Sequence, residues 1–289
     1  MTGLIRIKSP WKQLGVFLAV FSPQLLLLIY SLFAVPETMP DYSSPETIQI
    51  LKWAQAFSSL VFFLLPAFLY SVFTFRAKYF YFLGFKPAQR LNMYVLGAFC
   101  MLAAFPVVFW LGELNQLIPL PDALVKMEKE TGTHLEGFLK IRHPSDIVVN
   151  LIVIALVPAF CEEILFRGAL QRILIQLTKS PWAGIIISAA LFSALHLQFM
   201  GFLPRMFLGV VLGALFWYSG SLWTSVIAHF VTNAVQVIVA GYSTKLANEN
   251  PSIPVYIALV SGIVVAGLLF MLKKQSATTW EKVYERDPA

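Results

Sequence analysis

The sequence predicts an all-α fold, a polytopic membrane helix bundle of about eight transmembrane helices. Composition gives the first indication: the 289-residue chain is 58% hydrophobic and only 12% charged, where a soluble domain carries about 25% charged residues. Mean hydropathy is +0.74. Apolar runs also recur along the chain at lengths close to the ~20 residues needed to cross a hydrocarbon core. Backbone groups in lipid must find partners within their own segment, so each run is expected to be a helix.

The first run, about 14–35, follows Arg6, Lys8 and Lys12 as in a signal peptide. It is long and has no clear small-residue cleavage site, so it reads as a retained signal anchor. Further spans are expected at about 53–75, 91–111, 147–177, 182–198, 203–218, 222–240 and 255–272. The fourth is long, and the fifth and sixth are short enough to lean on their neighbours. The 112–146 connection is acidic, contains Pro119, Pro121 and Gly132, and is long for a loop, which suggests an amphipathic helix over about 122–140. Three parts follow: N-terminal helices and loops over 1–146, a polar core over 147–240, and a last helix with a cytoplasmic tail over 241–289. Cys100 and Cys161 both lie in apolar runs, so no disulfide framework or CxxC metal pattern is available.

Lys and Arg set the expected orientation. With the N-terminus inside, the inner segments hold fourteen: Arg6, Lys8, Lys12, Arg76, Lys78, Lys86, Arg90, Arg167, Arg172, Lys179, Lys273, Lys274, Lys282 and Arg286. The outer segments hold six: Lys52, Lys126, Lys129, Lys140, Arg142 and Lys245. Both termini are therefore expected in the cytoplasm, in a multi-pass protein of a bacterial inner membrane. The basic inner loops suit an anionic leaflet and call for no nucleic-acid partner. Arg205 lies within the sixth span and is expected to snorkel or to meet a loop carboxylate.

Between Ile147 and Ala240 the only acids are Glu162 and Glu163, and the only histidines are His196 and His229. Ionisable groups inside a membrane face the bundle interior or a cavity and mark function. Glu163 and Arg167 are i and i+4, so they share a helix face and can pair. Glu162 lies about 100° around the helix, out of easy reach of the same guanidinium, and is left free to take or give protons. Glu162 and His196 each lie 17 residues from Lys179 in the turn between spans four and five, which sets them at similar height in a helical hairpin. Phe192 precedes His196 by four residues. His229 and Asn233 form another i,i+4 pair, about 10 Å from His196 in height by simple counting. A carboxylate base, a histidine sharing the proton, and a His–Asn pair holding an oxyanion are the parts of a water-activating hydrolase. Glu162, His196 and His229 are equally the donor set a divalent metal such as zinc would use, although no HExxH motif is present.

Three ordered segments, "EEILFR" at 162–167, "FSALH" at 192–196 and "HFVTN" at 229–233, resemble the CPBP family of CAAX-processing and bacteriocin-processing (Abi) intramembrane proteases. The family pattern is EExxxR, then FxxxH, then HxxxN, and all three motifs are intact. The resemblance implies that 147–240 is a catalytic core cutting a peptide bond in a membrane-associated peptide or lipidated protein. It implies that Glu162 polarises water with His196, that His229 and Asn233 stabilise the oxyanion, that Glu163 with Arg167 is a structural ion pair holding the first motif's helix, and that Phe192 is a supporting residue of the second motif. The cofactor is open between a metal and none. Two other functions are compatible with the same residues: a catalytically silent membrane scaffold of this fold, and a proton-coupled transporter.

Overall fold

The computed structural model describes residues 4–33, 44–122, 124–126, 128, 138–139, 141–242 and 251–284. Among the described residues eight helices build the bundle: α1 (Pro10–Phe33), α2 (Pro45–Thr74), α3 (Asn92–Gln116), α4 (Pro144–Thr178), α5 (Pro181–Ala194), α6 (Phe202–Ser219), α7 (Leu222–Tyr242) and α8 (Val255–Gln275). Seven of them are long and apolar enough to cross a membrane. The exception is α5, whose 14 residues reach only about 21 Å against a core of about 30 Å. The fifth expected span, 182–198, is thus corrected. The helix stops at Ala194, and Leu197 adopts a left-handed φ of 55° that no α-helix continues through.

Proline explains where the long helices depart from regular α geometry. Widened π turns at Leu60–Leu64 and Leu151–Leu156 immediately precede Pro66 and Pro158, and α3 breaks at Ala104 just before Pro106. A proline lacks the amide proton and crowds the preceding turn, and local widening or a break accommodates both. A third π segment, Ile164–Gln171, has no proline and carries Arg167.

α4 runs through the middle of the bundle against α1, α2, α5, α6 and α7. Every residue from Cys161 to Gln171 is buried. Close approach depends on small residues, as expected where lipid supplies no hydrophobic drive between helices. A side chain at Gly184 would meet the Ile175 backbone at 2.6 Å, and one at Gly209 would meet the Ala189 Cβ at 3.0 Å. Apolar side chains such as Leu26, Phe57, Phe99, Ile186 and Ile263 are exposed on the outside of the bundle, the surface lipid would cover. Pro181 opens α5 and Ser180 caps it, accepting from the Ala183 amide at 3.3 Å. That cap turns α4 back on itself and sets the antiparallel hairpin of the first two motifs.

Most of the expected 122–140 amphipathic helix lies outside the described residues, with Lys129, His134 and Lys140; Lys245 and Arg286 lie outside them too.

Candidate active site

Glu162 and Glu163 occupy adjacent positions in α4 but meet different surroundings. Glu163 is fully buried, and its Oε1 lies 3.0 Å from Arg167 Nη1 and 3.0 Å from His229 Nδ1. Glu162 turns to the other side, keeps 8% exposure and lines a cavity of about 610 Å³. The 100° offset between neighbouring helical residues thus separates a sequestered carboxylate from an accessible one.

Arg167 is completely buried and held from three sides. It pairs with Glu163, donates from Nη2 to the Gly209 carbonyl at 3.0 Å, and stands 5.0 Å from the centre of the Phe192 ring. The absence of a side chain at Gly209 allows α6 to approach this closely. A buried guanidinium without such partners would be strongly destabilising.

His229 connects the two glutamates. Its Nδ1 faces Glu163, and its Nε2 lies 3.9 Å from Glu162 Oε2. An ionised carboxylate only accepts, so Nδ1 carries a proton donated to Glu163. The sequence pattern paired Glu163 with Arg167 alone, and its contact with His229 required the crossing of α4 and α7.

His196 sits two residues beyond the end of α5, with Nδ1 2.8 Å from the Phe192 carbonyl. A carbonyl also only accepts, so Nδ1 is the protonated nitrogen and neutral His196 keeps a lone pair at Nε2. The Phe192 ring stands between the two imidazoles, 4.8 Å from His196 and 6.0 Å from His229. The roughly 10 Å height difference from residue counting is bridged by one aromatic ring. Glu162, His196, His229 and Asn233 all line the same cavity.

Five further polar side chains on the cavity wall carry no motif signal: Gln55, Gln198, Arg205, Thr232 and Gln236. Arg205 was expected to snorkel or meet a loop carboxylate; the charge of the loop residue Glu128 does act on it, together with that of Glu162, but neither is its hydrogen-bond partner. It donates to Gln198 through Nη1 to the backbone oxygen at 3.1 Å and Nη2 to Oε1 at 2.9 Å. The nearby loop carboxylate, Glu128, instead accepts from the Phe199 and Met200 amides at 2.6 and 3.0 Å.

Among the described residues no three His, Cys, Asp or Glu side chains gather closely enough to hold a metal ion. Glu162, His196 and His229 share the cavity wall, and Nδ1 of each histidine is engaged by an oxygen, an arrangement that metal-ligating histidines also have.

The helix bundle defines an integral multi-pass membrane protein with ionisable groups gathered on one buried cavity. Residues 144–235 match the family model described as type II CAAX prenyl endopeptidase Rce1-like. That segment is Rce1-like and consistent with a CPBP-family intramembrane protease, as the three motifs led one to expect. At the level of the family the match supports a membrane endopeptidase. The chain is also 29% identical over 92 residues to the uncharacterized protein YpbD of Bacillus subtilis (strain 168), which covers 30% of this chain. The chain spans 44% of the length of that curated relative. No solved structure matches.

Proposed function

We propose that this protein is an intramembrane endopeptidase whose catalytic core is 147–240, cutting a peptide bond in a membrane-associated peptide or protein. The observation that carries this is the meeting of Glu162, His196, His229 and Asn233 on one cavity wall inside an apolar bundle.

In the proposed reaction a water lies between Glu162 and His196. Glu162 takes its proton, and His196 accepts the water's second hydrogen at Nε2 and aligns the oxygen. The oxygen attacks the scissile carbonyl. The resulting oxyanion is met by the Asn233 amide and by the Nε2 edge of His229, whose Nδ1 Glu163 holds from the far side. Collapse breaks the C–N bond, and Glu162 returns its proton to the leaving amine. Glu163 and Arg167 position His229 without touching the substrate. No step requires a metal.

The proposed orientation keeps both termini in the cytoplasm, in a bacterial inner membrane. The cavity is lined by Gln55 near the start of α2, Ile154 in the first half of α4, Arg205 in the first turns of α6 and Val237 near the end of α7. All four lie toward the face away from the N-terminus. In this orientation the site lies in the extracytoplasmic half of the bilayer and takes a peptide from the membrane or from the outer side.

The test is cleavage of a membrane-peptide library by the purified protein, compared with Glu162→Gln and with a chelator-treated sample. Cleavage should be present in the wild type, fall at least about 100-fold in the variant, and survive chelation. Cleavage abolished by chelator and restored by zinc would overturn the metal-free mechanism. A folded wild type as silent as the variant throughout the library would favour a scaffold.

A further inference from the structure

Arg205 is the only Lys or Arg between Lys179 and Lys245, and it faces the same cavity as Glu162. A guanidinium in an apolar bundle is costly unless its charge is answered. Among the described residues no carboxylate lies within 4 Å of it, and its hydrogen bonds use Gln198 alone. Both of those bonds go to uncharged oxygens and leave three of the five guanidinium protons available, while Glu162 and Glu128 answer the charge only from beyond contact distance.

The group is nevertheless held firmly. The turn that carries Gln198 is tied down by Glu128, through the Phe199 and Met200 amides, and by Asn115. Asn115 donates to the Phe199 carbonyl at 2.7 Å and accepts from the Leu203 amide at 2.7 Å. Gly201 provides the space: a Cβ there would sit 3.1 Å from Arg205 Nη2. A fixed, planar fork without a carboxylate in contact, on the wall of a cavity, suits one ligand class above others, a carboxylate bound through two parallel N–H···O contacts. Preorganisation reduces the ordering cost of such binding.

We propose that Arg205 binds a carboxylate of the substrate peptide and thereby fixes where the chain lies relative to Glu162. The carboxylate is either the free chain end or an Asp or Glu side chain near the cut. This subsite rests on the peptidase function proposed above, but binding and cleavage can be read separately.

The experiment measures binding to Glu162→Gln protein in lipid nanodiscs. The probes are fluorescent apolar peptides of about 20 residues, made with a free or amidated C-terminus, and with Glu or Gln at a position near it. At least one acid–neutral pair should show about tenfold or greater preference for the acid, and which pair it is identifies the source. Adding Arg205→Gln should bring the ratio to about one, and Arg205→Lys should restore part of it. Gln198→Ala removes the side-chain acceptor but keeps the cation, so the ratio should persist. The proposal is overturned if no pair shows a preference, if the preference survives Arg205→Gln, or if Gln198→Ala abolishes it equally, which would make Arg205 a structural pin. Should Arg205→Gln not fold, Arg205→Lys decides: an unchanged ratio would leave the geometry of the fork irrelevant and overturn the proposal. A wild type that discriminates carboxylates yet cuts none of the peptides would count against the peptidase function and leave the subsite standing.

Discussion

Nδ1 of His229 lies 3.0 Å from Oε1 of Glu163, although 66 residues separate them in the chain. The same oxygen lies 3.0 Å from Arg167 Nη1. One buried carboxylate oxygen therefore serves both a cation on its own helix and an imidazole on α7, coupling a structural ion pair to a proposed reacting group.

That coupling separates stability from activity. Glu163→Gln leaves the Arg167 charge buried without a counter-charge, and should destabilise the fold by about 3–5 kcal/mol. Combining it with Arg167→Met removes both charges and should recover most of that loss, since a buried ion pair is often replaceable by apolar groups. Cleavage should stay low in the double variant, because His229 remains without its carboxylate. Thermal unfolding in detergent and cleavage rates, measured on the wild type and both variants, check this; full recovery of activity would contradict the positioning role.

Phe192 touches both imidazoles and the Arg167 guanidinium through a single ring. Phe192→Leu keeps most of the volume but loses the ring face and edge. A stability loss of about 1–2 kcal/mol is expected. The larger effect should fall on kcat, by about tenfold, since misplacement of positioned groups slows the reaction. A change confined to KM would place the ring's role in binding.

Gly184 permits the α4–α5 crossing. A Cβ there would lie 2.6 Å from the Ile175 amide nitrogen, which is backbone and cannot swing away. Gly184→Val should cost at least about 1–3 kcal/mol and open the hairpin that carries Glu162 and His196. Limited proteolysis near Lys179 should accelerate, and cleavage activity should fall in parallel.

Lys86, in the connection between α2 and α3, gives a pH dependence outside the membrane-spanning segments. Burial, with a smaller contribution from the Arg172 charge, lowers its ammonium to about 8 from the ordinary 10.5. The folded chain then binds fewer protons at this site than the unfolded chain between those two values, so stability rises with pH across that window. The cost of burying the charged form is fully present below pH of about 8 and relieved toward 10.5. Lys86→Met should raise the thermal midpoint near neutral pH and flatten its rise toward pH 10. An unchanged slope in the variant would assign the dependence to another group.

The apolar runs announced seven of the eight bundle helices, because a lipid-spanning helix needs a length and composition that few soluble segments share. The three motifs marked Glu162, His196, His229 and Asn233, the residues the fold then gathers on one cavity. Helical spacing also gave the Glu163–Arg167 pair, since i,i+4 geometry is local. What it did not give were the meetings between helices. The Glu163–His229 contact depends on how α4 crosses α7. The early end of α5 is set by Leu197, an apolar residue whose left-handed backbone leaves no mark in hydropathy. Arg205 resembled an isolated snorkelling cation because its partner, Gln198, lies on a turn that was read as helix.

The brevity of α5 has a consequence for the surrounding bilayer. Trp182, Ile186, Ile187 and Leu191 are exposed along its outer side, so this 14-residue helix has an apolar flank for lipid. Its apolar length falls about 9 Å short of an ordinary hydrocarbon core. Such hydrophobic mismatch is relieved by thinning of the adjacent leaflets. The dimple would lie beside His196, at the end of α5, and would bring headgroups and their hydration close to the reaction centre. Bilayer thickness then becomes a control on the proposed cleavage: short-chain lipids would match α5 as it stands, and long-chain lipids would have to be deformed before water and peptide could reach Glu162.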